Sequence, residues 1–84
     1  MRKLIVKANQ VLPVEVLEVD DNFTNINKIY QCQWSRQALD YLKDYACRKK
    51  EDININFVGP QSYISHFVEE ANKLEFVKAT GTGV

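Results

Sequence analysis

The side chains best suited to catalysis in this chain are one histidine, His66, and two cysteines, Cys32 and Cys47. A cysteine beside a histidine can act as a nucleophile, because the imidazole removes the thiol proton. A zinc site needs three or four ligands, which this set does not supply. His66 falls on the polar side of an expected helix, and Cys32 shares the apolar alternation of an expected strand. These positions favour a non-enzymatic protein without metal or cofactor, and a Cys–His pair assembled by the fold stays as an alternative.

Oxygen-bearing side chains recur at Asp20, Asn22 and Thr24, as in the first half of a calcium-binding loop. An EF-hand also needs glycine at its sixth position and a bidentate glutamate at its twelfth. Those positions hold Asn25 and Gln31 here. We therefore interpret residues 20–27 as a polar loop.

The segment Gly59-Pro60-Gln61-Ser62 joins an expected strand to an expected helix. In open α/β sheets, ligands often bind beyond the carboxyl ends of strands, where helix N-termini present N–H groups to anions. Gly59, Gln61 and Ser62 are therefore candidates for binding a small anionic ligand or nucleotide. The glycine spacing of the Rossmann and P-loop motifs is missing, so a simple helix start is the competing interpretation.

Basic residues cluster along the first expected helix. With Tyr30 and Trp34 nearby they would suit single-stranded nucleic acid, which binds to cationic grooves and stacks on aromatic rings. Acidic side chains interleave with them, and the chain as a whole has eleven basic and eleven acidic residues. Zero net charge gives little long-range attraction for a polyanion, so nucleic acid is not the favoured partner. The basic residues are Arg36, Lys43, Arg48, Lys49 and Lys50.

Side-chain amides alternate with apolar side chains in two expected strands. A strand with helices on both faces is continuously apolar, so this alternation predicts a sheet with one uncovered face. Uncovered faces and edges of sheets bind proteins. We expect a protein partner or a second copy of the chain at this surface, since zero net charge does little to oppose self-association. The amides that mark the surface are Gln31, Gln33, Asn54 and Asn56.

The chain has the length and composition of one small domain. Its 84 residues are 45% hydrophobic and 26% charged, enough for one core but not for a large cavity. No apolar run approaches the roughly 20 residues of a membrane span, and Lys7 interrupts the apolar start. We therefore expect a cytoplasmic protein without membrane contact. Lysine outnumbers arginine eight to three, a compositional hint of an AT-rich bacterial or phage genome.

Two helices and five strands are expected from periodicity. Residues 36–49 carry apolar side chains at helical spacing after Ser35, a preferred N-cap, with Trp34 and Leu39 placed for a hydrophobic staple. Residues 60–73 form a second amphipathic helix with Pro60 in its first turn. Period-two alternation predicts strands near residues 3–8, 14–19, 30–34, 53–57 and 76–80.

The resulting element order is β-β-β-α-β-α-β. It predicts an α/β (α+β) two-layer sandwich, in which two helices cover one face of a mixed sheet of four to five strands. The first two strands should pair antiparallel, and the helical connections should give parallel crossovers. A doubly wound, three-layer fold is the alternative, disfavoured by the small number of helices. We assign residues 1–80 to the domain and residues 81–84 to a flexible C-terminal tail.

Overall fold

The computed structural model describes residues 2–8, 13–20, 22 and 24–83. Seven elements follow in the predicted order β-β-β-α-β-α-β. The connection expected at residues 9–12 and the last residue of the expected tail, Val84, lie outside the described residues. The elements are β1 (Arg2–Lys7), β2 (Val14–Val19), β3 (Ile26–Cys32), α1 (Ser35–Lys49), β4 (Ile53–Gly59), α2 (Gln61–Ala71) and β5 (Val77–Gly83).

The five strands form one mixed sheet in the order β3-β2-β1-β4-β5. The central strand, β1, pairs antiparallel with β2 and parallel with β4. The outer pairs are β2 with β3, antiparallel, and β4 with β5, parallel. The antiparallel β1–β2 pair and the parallel β4–β5 crossover agree with the prediction. β3 and β4 run in the same direction but are separated by β2 and β1, so α1 connects opposite halves of the sheet.

Both helices pack on one face of this sheet, which confirms the predicted two-layer fold. The ring of Phe67 on α2 lies 5.3 Å from that of Phe57 on β4, centroid to centroid. Burying one such side chain contributes about 1.5–3 kcal/mol to folding, so this interface holds most of the stability of the domain. The helices bury Ala38, Leu42, Tyr45, Ala46, Ile64, Phe67 and Ala71 against Leu4, Val6, Val14, Val16, Ile53, Ile55 and Phe57.

The junction between β3 and α1 differs from the prediction. β3 starts at Ile26, inside the expected loop, and ends at Cys32. The N-cap is Trp34 rather than Ser35, because the Trp34 carbonyl accepts from the N–H groups of Gln37 (3.1 Å) and Ala38 (3.4 Å). The Trp34 N–H in turn donates to Oε1 of Gln37 at 3.3 Å. Trp34 is 68% exposed, so it is neither an inward strand residue nor part of a staple.

The end of the chain also differs, because residues 81–83 belong to β5 rather than to a tail. Gly81 and Gly83 pair with Phe57 and Gly59 on the side of the sheet that α2 covers. A Cβ on Gly81 would lie 3.1 Å from Cδ1 of Ile64, so glycine allows helix and strand to approach this closely. Glycine is uncommon in strand interiors, which is why this stretch resembles a tail in sequence.

The end of α1 offers a test of backbone strain. Lys50 caps the helix with φ 52°, and its N–H donates to the Ala46 carbonyl at 3.0 Å. This left-handed conformation costs a side-chain-bearing residue about 1 kcal/mol, which glycine avoids. We expect Lys50→Gly to raise the free energy of unfolding by about 0.5–1 kcal/mol in urea denaturation. Lys49→Gly, inside the helix, should lower the free energy of unfolding by a similar amount. A change of the same sign and size in both variants would contradict this account.

Candidate functional site

The side of the sheet that faces away from α1 and α2, called the open face, carries fifteen described side chains. Residues directly opposite each other on paired strands point to the same side, so the pairing registers arrange them in three rows. In the order β3, β2, β1, β4, β5, the first row is Ile26, Val19, Lys3, Asn54 and Lys78. The second row is Lys28, Leu17, Ile5, Asn56 and Thr80, and the third is Gln31, Glu15, Lys7, Val58 and Thr82.

Three of the four amides predicted to mark an interaction surface lie in these rows. Asn54 and Asn56 occupy β4 near the middle of the open face, and Gln31 lies on the outer strand β3. Gln33 is exposed but follows the end of β3, so it does not belong to the sheet. The prediction is wrong for Gln33 because the alternation of residues 30–34 continues past the point where the strand ends.

Hydrogen bonds link several polar side chains of the open face. Oδ1 of Asn56 accepts from the hydroxyl groups of Thr82 (3.1 Å) and Thr80 (3.4 Å) on the neighbouring strand. At the opposite edge, Nζ of Lys28 donates to Oε1 of Gln31 at 2.8 Å and lies 3.4 Å from a carboxylate oxygen of Glu15. These bonds hold the side chains in place, so the surface is ordered before any partner binds.

Charge is distributed unequally between the open face and the rest of the chain. The rows contain four lysines and one glutamate, Glu15, a formal charge of +3. Because the whole chain is neutral, the remaining residues sum to −3. Lys3 and Lys7 lie on one strand, β1, but the grouping of all four lysines depends on a register that joins five strands. The lysines are Lys3, Lys7, Lys28 and Lys78.

Apolar side chains lie between these lysines. Leu17 and Val19 are buried although they face the open side, because longer side chains flank them within their rows. Ile5 and Val58 are half-buried, and Ile26 is 59% exposed at the edge. A groove of about 270 Å³ runs across this part of the open face, with Ile5, Val19 and Lys78 among its lining residues.

Backbone groups at both edges of the sheet are occupied or irregularly spaced. On β5, the N–H of Ala79 donates to Oδ1 of Asn72 at 2.8 Å, and its carbonyl accepts from Nδ2 of Asn72 at 3.1 Å. One amide side chain therefore occupies the edge position that a further strand would use. On β3 the register shifts opposite Val16 and Leu17, which leaves Ile29 as a bulge. A bulge interrupts the regular row of groups that strand addition requires.

The segment Gly59–Ser62 has structural roles in the described fold. A Cβ on Gly59 would clash with the backbone oxygen of Ala8, so glycine is needed for β1 and β4 to converge here. Oε1 of Gln61 lies over Gly83, at 2.5 Å from the position a Cβ would take there. The carbonyl of Ser62 accepts from the hydroxyl of Ser65 at 3.3 Å. These contacts give the segment a structural role, and anion binding at Gly59, Gln61 and Ser62 stays a prediction.

The cysteines and the histidine lie on three different elements, β3, α1 and α2. Sγ of Cys32 lies 3.3 Å from the carbonyl of Trp34, and burial raises the pKa of this thiol, which keeps it protonated. Cys47 and His66 are exposed on α1 and α2, as expected for surface residues. Among the described residues, no three histidine, cysteine or acidic side chains are grouped so that they could hold a metal ion.

The described part of the predicted polar loop is organised around Asp20 by hydrogen bonds. Its carboxylate accepts from the Thr24 hydroxyl (2.6 Å), the Thr24 N–H (2.8 Å) and Nδ2 of Asn25 (3.1 Å). The Thr24 hydroxyl bond, with the other two donors, lowers the pKa of Asp20 to about 2. The Thr24 hydroxyl is thus engaged as a donor to Asp20, while Asp21 lies outside the described residues.

The aromatic and basic side chains proposed for nucleic acid make contacts within the chain. The Tyr30 ring stacks on Tyr41 of α1, with 4.1 Å between centroids and 5° between planes. Arg48 pairs with Asp44 at 3.1 Å, and Nζ of Lys49 lies 5.7 Å from the ring centre of Tyr45. One face of Tyr30 is therefore unavailable for stacking on a base.

An ionic cluster joins the helical face of the sheet to α1. Oε2 of Glu18 accepts from the Tyr45 hydroxyl at 2.9 Å and lies 3.5 Å from Nη1 of Arg2, which also pairs with Glu51. Burial, together with the neighbouring Glu18, raises the pKa of Tyr45 to about 12. The phenol therefore stays protonated and acts as a donor, which makes this cluster a structural link.

Comparison of the chain with protein-family models, with curated proteins and with solved structures found no match. Within residues 2–8, 13–20, 22 and 24–83, neither helix is long and apolar enough to cross a membrane. The function therefore has to be argued from the geometry of the open face.

The pKa of Asp20 can be tested through its main donor. Thr24→Val removes the hydroxyl bond, so the pKa of Asp20 should rise from about 2 toward its ordinary value. Because the folded pKa is depressed, this carboxylate stabilises the fold above pH ~4 and the contribution is lost as the pH falls toward about 2. Carboxyl ¹³C NMR titration measures the pKa. Thr24→Ser keeps the hydroxyl, so Asp20 should keep its low pKa in that variant. An ordinary pKa of Asp20 in Thr24→Ser, or a low one in Thr24→Val, would contradict the role of the Thr24 hydroxyl.

The edge contact of Asn72 makes a second prediction. Asn72→Ala removes both hydrogen bonds to Ala79 and should lower the free energy of unfolding by about 1–2 kcal/mol. Asn72→Asp keeps the acceptor but not the donor, so its free energy of unfolding should lie between those of the unchanged chain and Asn72→Ala. Sedimentation should also detect concentration-dependent association of Asn72→Ala, since the edge is then open. Unchanged stability and a monomeric Asn72→Ala would exclude the edge-blocking role.

Proposed function

We propose that this chain is a non-enzymatic protein-interaction domain that binds the acidic surface of a protein partner on its open face. The observation that carries the proposal is a formal charge of +3 on a sheet face that neither described helix covers. Exposed lysines around half-buried apolar side chains suit a polar rim about a small desolvated centre. The free thiols of Cys32 and Cys47 support a cytoplasmic setting for this partner.

The face is a better candidate than the edges of the sheet. Asn72 occupies the backbone groups of Ala79, and the bulge at Ile29 breaks the regular spacing of β3. Strand addition requires a continuous row of free N–H and C=O groups. Binding through side chains of the open face does not require free backbone N–H and C=O groups.

A second copy of the chain is a poor occupant for this face. Two open faces packed together would oppose charges of +3 and +3, and like charges across an interface are strongly unfavourable. The helical side of one copy could meet the open face of another only head-to-tail, which does not close into a symmetric dimer. A different protein with an acidic surface avoids both difficulties.

Nucleic acid is also disfavoured. Single-stranded nucleic acid typically stacks its bases on aromatic side chains of a sheet face. None of the fifteen side chains in the rows of the open face is aromatic. The lysines alone would attract phosphates but would offer the bases nothing to stack on.

The dimensions of the face favour a weak, transient complex. Four strand spacings and four residue steps span about 19 by 13 Å between Cα atoms. That footprint is smaller than the roughly 800 Å² that each partner buries in a stable complex. A test must therefore capture short-lived contacts.

Site-specific photo-crosslinking in the host cell provides this test. A benzophenone amino acid at Thr80, on the open face, should give adducts with a protein partner, whereas the same group at Lys43, on α1, should not. Lys78→Glu should abolish the Thr80 adduct, because it reverses the charge that attracts the partner, and Lys50→Glu is the matched control. In a lysate of the same cells, raising the ionic strength from about 0.1 M to about 1 M shortens the Debye length from about 10 Å to about 3 Å, and the yield of the adduct should fall.

Three outcomes would overturn the proposal. Adducts of equal yield from positions 80 and 43 would mean that the open face is not selective. An adduct of twice the mass of the chain would identify a second copy as the occupant. Crosslinking at position 80 that requires nucleic acid would identify the face as a nucleic-acid surface.

A further inference from the structure

The groove on the open face combines an apolar floor at one end with polar side chains at the other. It has a volume of about 270 Å³ and lies over β2, β1, β4 and β5. Val19 is buried beneath it and Ile5 is half-buried, so its floor over β2 and β1 is apolar. Asn56, Thr80 and Lys78 line its end over β4 and β5. Pockets for drug-sized ligands run from about 300 to 1,000 Å³, so this groove suits a smaller molecule.

Two threonines of β5 hold the side-chain amide of Asn56 in one orientation. Its Oδ1 accepts from the hydroxyl groups of both Thr82 (3.1 Å) and Thr80 (3.4 Å). A carbonyl oxygen has two lone pairs, so this acceptor is fully used and the other arm of the amide is the NH₂ group. No side chain of the described residues accepts from Nδ2 of Asn56. Its two N–H groups therefore remain for a ligand.

Lys78 supplies a cation at the same end of the groove. It is exposed, and its ammonium group takes no part in the hydrogen bonds and ion pairs of the described residues. Lys3 also lines the groove but already interacts within the chain, and no acidic side chain is among the described lining residues. Asn56 and Lys78 lie one row apart on adjacent strands, about 8 Å between Cα atoms. One carboxylate between them can therefore accept from Nδ2 of Asn56 and Nζ of Lys78.

We infer that the groove binds a small carboxylate with an apolar body, an arylalkanoate, whose charged end lies between Asn56 and Lys78. The middle of the β4–β5 pair is one and a half strand spacings, about 7 Å, from Ile5 on β1. A ring at that distance from the carboxylate covers Ile5 and extends toward Val19. One cation and one amide match a single negative charge, and the apolar floor disfavours a more strongly hydrated group such as phosphate. This site goes beyond the proposed function, since it requires no protein partner.

The test is a titration of the ¹⁵N-labelled full chain with 4-phenylbutyrate, in which three methylene groups separate the ring from the carboxylate. We expect saturable amide shifts at Ile5, Val19, Asn56 and Lys78, with a dissociation constant of about 1 mM, ordinary for a ligand of twelve non-hydrogen atoms. 4-Phenylbutyramide has nearly the same shape without the charge and should bind about threefold to tenfold more weakly. Butyrate keeps the carboxylate without the ring and should bind at least about tenfold more weakly, because it leaves the apolar floor uncovered.

Three variants that each lower the formal charge of the open face by one locate the ligand in the groove. Lys78→Gln should weaken binding of 4-phenylbutyrate and reduce its preference over the amide. Asn56→Asp keeps an acceptor for both threonines but replaces the Nδ2 donor with an anionic oxygen, so it should weaken binding further. Lys7→Gln, the matched control, removes a lysine of the third row, away from the groove, and should leave the dissociation constant unchanged. The amide spectrum of each variant shows whether it is folded.

Several results would overturn the inference. They are no saturable shift, shifts confined to residues outside the groove, binding of the amide or of butyrate as tight as that of 4-phenylbutyrate, or an equal loss of affinity in Lys7→Gln and Lys78→Gln. If any of these occurs while the Thr80 adduct still forms, the ligand site alone is excluded and the proposed function stands. If the titration succeeds and the Thr80 adduct is missing, the proposed function alone is excluded.

Discussion

The pairing of β1 with β4 determines which side chains face the helices and which form the open face. Because strand side chains alternate, a slip of one residue would turn Lys3, Ile5 and Lys7 toward the core. The absence of a side chain at Gly59 opposes such a slip, since the backbone of Ala8 occupies the space that a Cβ would need. The parallel register then aligns Lys3 with Asn54 and Ile5 with Asn56. The grouping of the lysines on the open face follows from this alignment.

Patterns confined to one element were sufficient to predict the elements and the two layers. The asparagines of β4 indicated an uncovered face because polar side chains on alternate positions cannot all be buried. Alternation within a strand failed to predict the structure at two places. Trp34 continues the alternation of β3, yet the hydrogen bonds of Gln37 and Ala38 to its carbonyl start a helix there. Residues 81–83 become strand only because β4 lies beside them and α2 above them.

The candidate site could be predicted only in part for the same reason. Gln31, Asn54 and Asn56 were identifiable from alternation within their own strands. The grouping of Lys28 and Lys78 with the lysines of β1 requires the strand order, which no local pattern contains. Asn72 reaches Ala79 across a turn, so its contact with the sheet edge has no sequence signal. A neutral composition likewise concealed the positive formal charge of the open face.

The strand order also bears on how the chain folds. β1, β2 and β3 follow one another in sequence and pair as an antiparallel meander, so their contacts close only short loops. The pairing of β1 with β4 joins Arg2 to Ile53 and closes a far longer loop, at a higher cost in chain entropy. Local contacts form fastest, so the meander precedes the β1–β4 pair. The meander alone would hold Lys3, Lys7 and Lys28, and a nascent chain would acquire the complete open face only after β5 is synthesised.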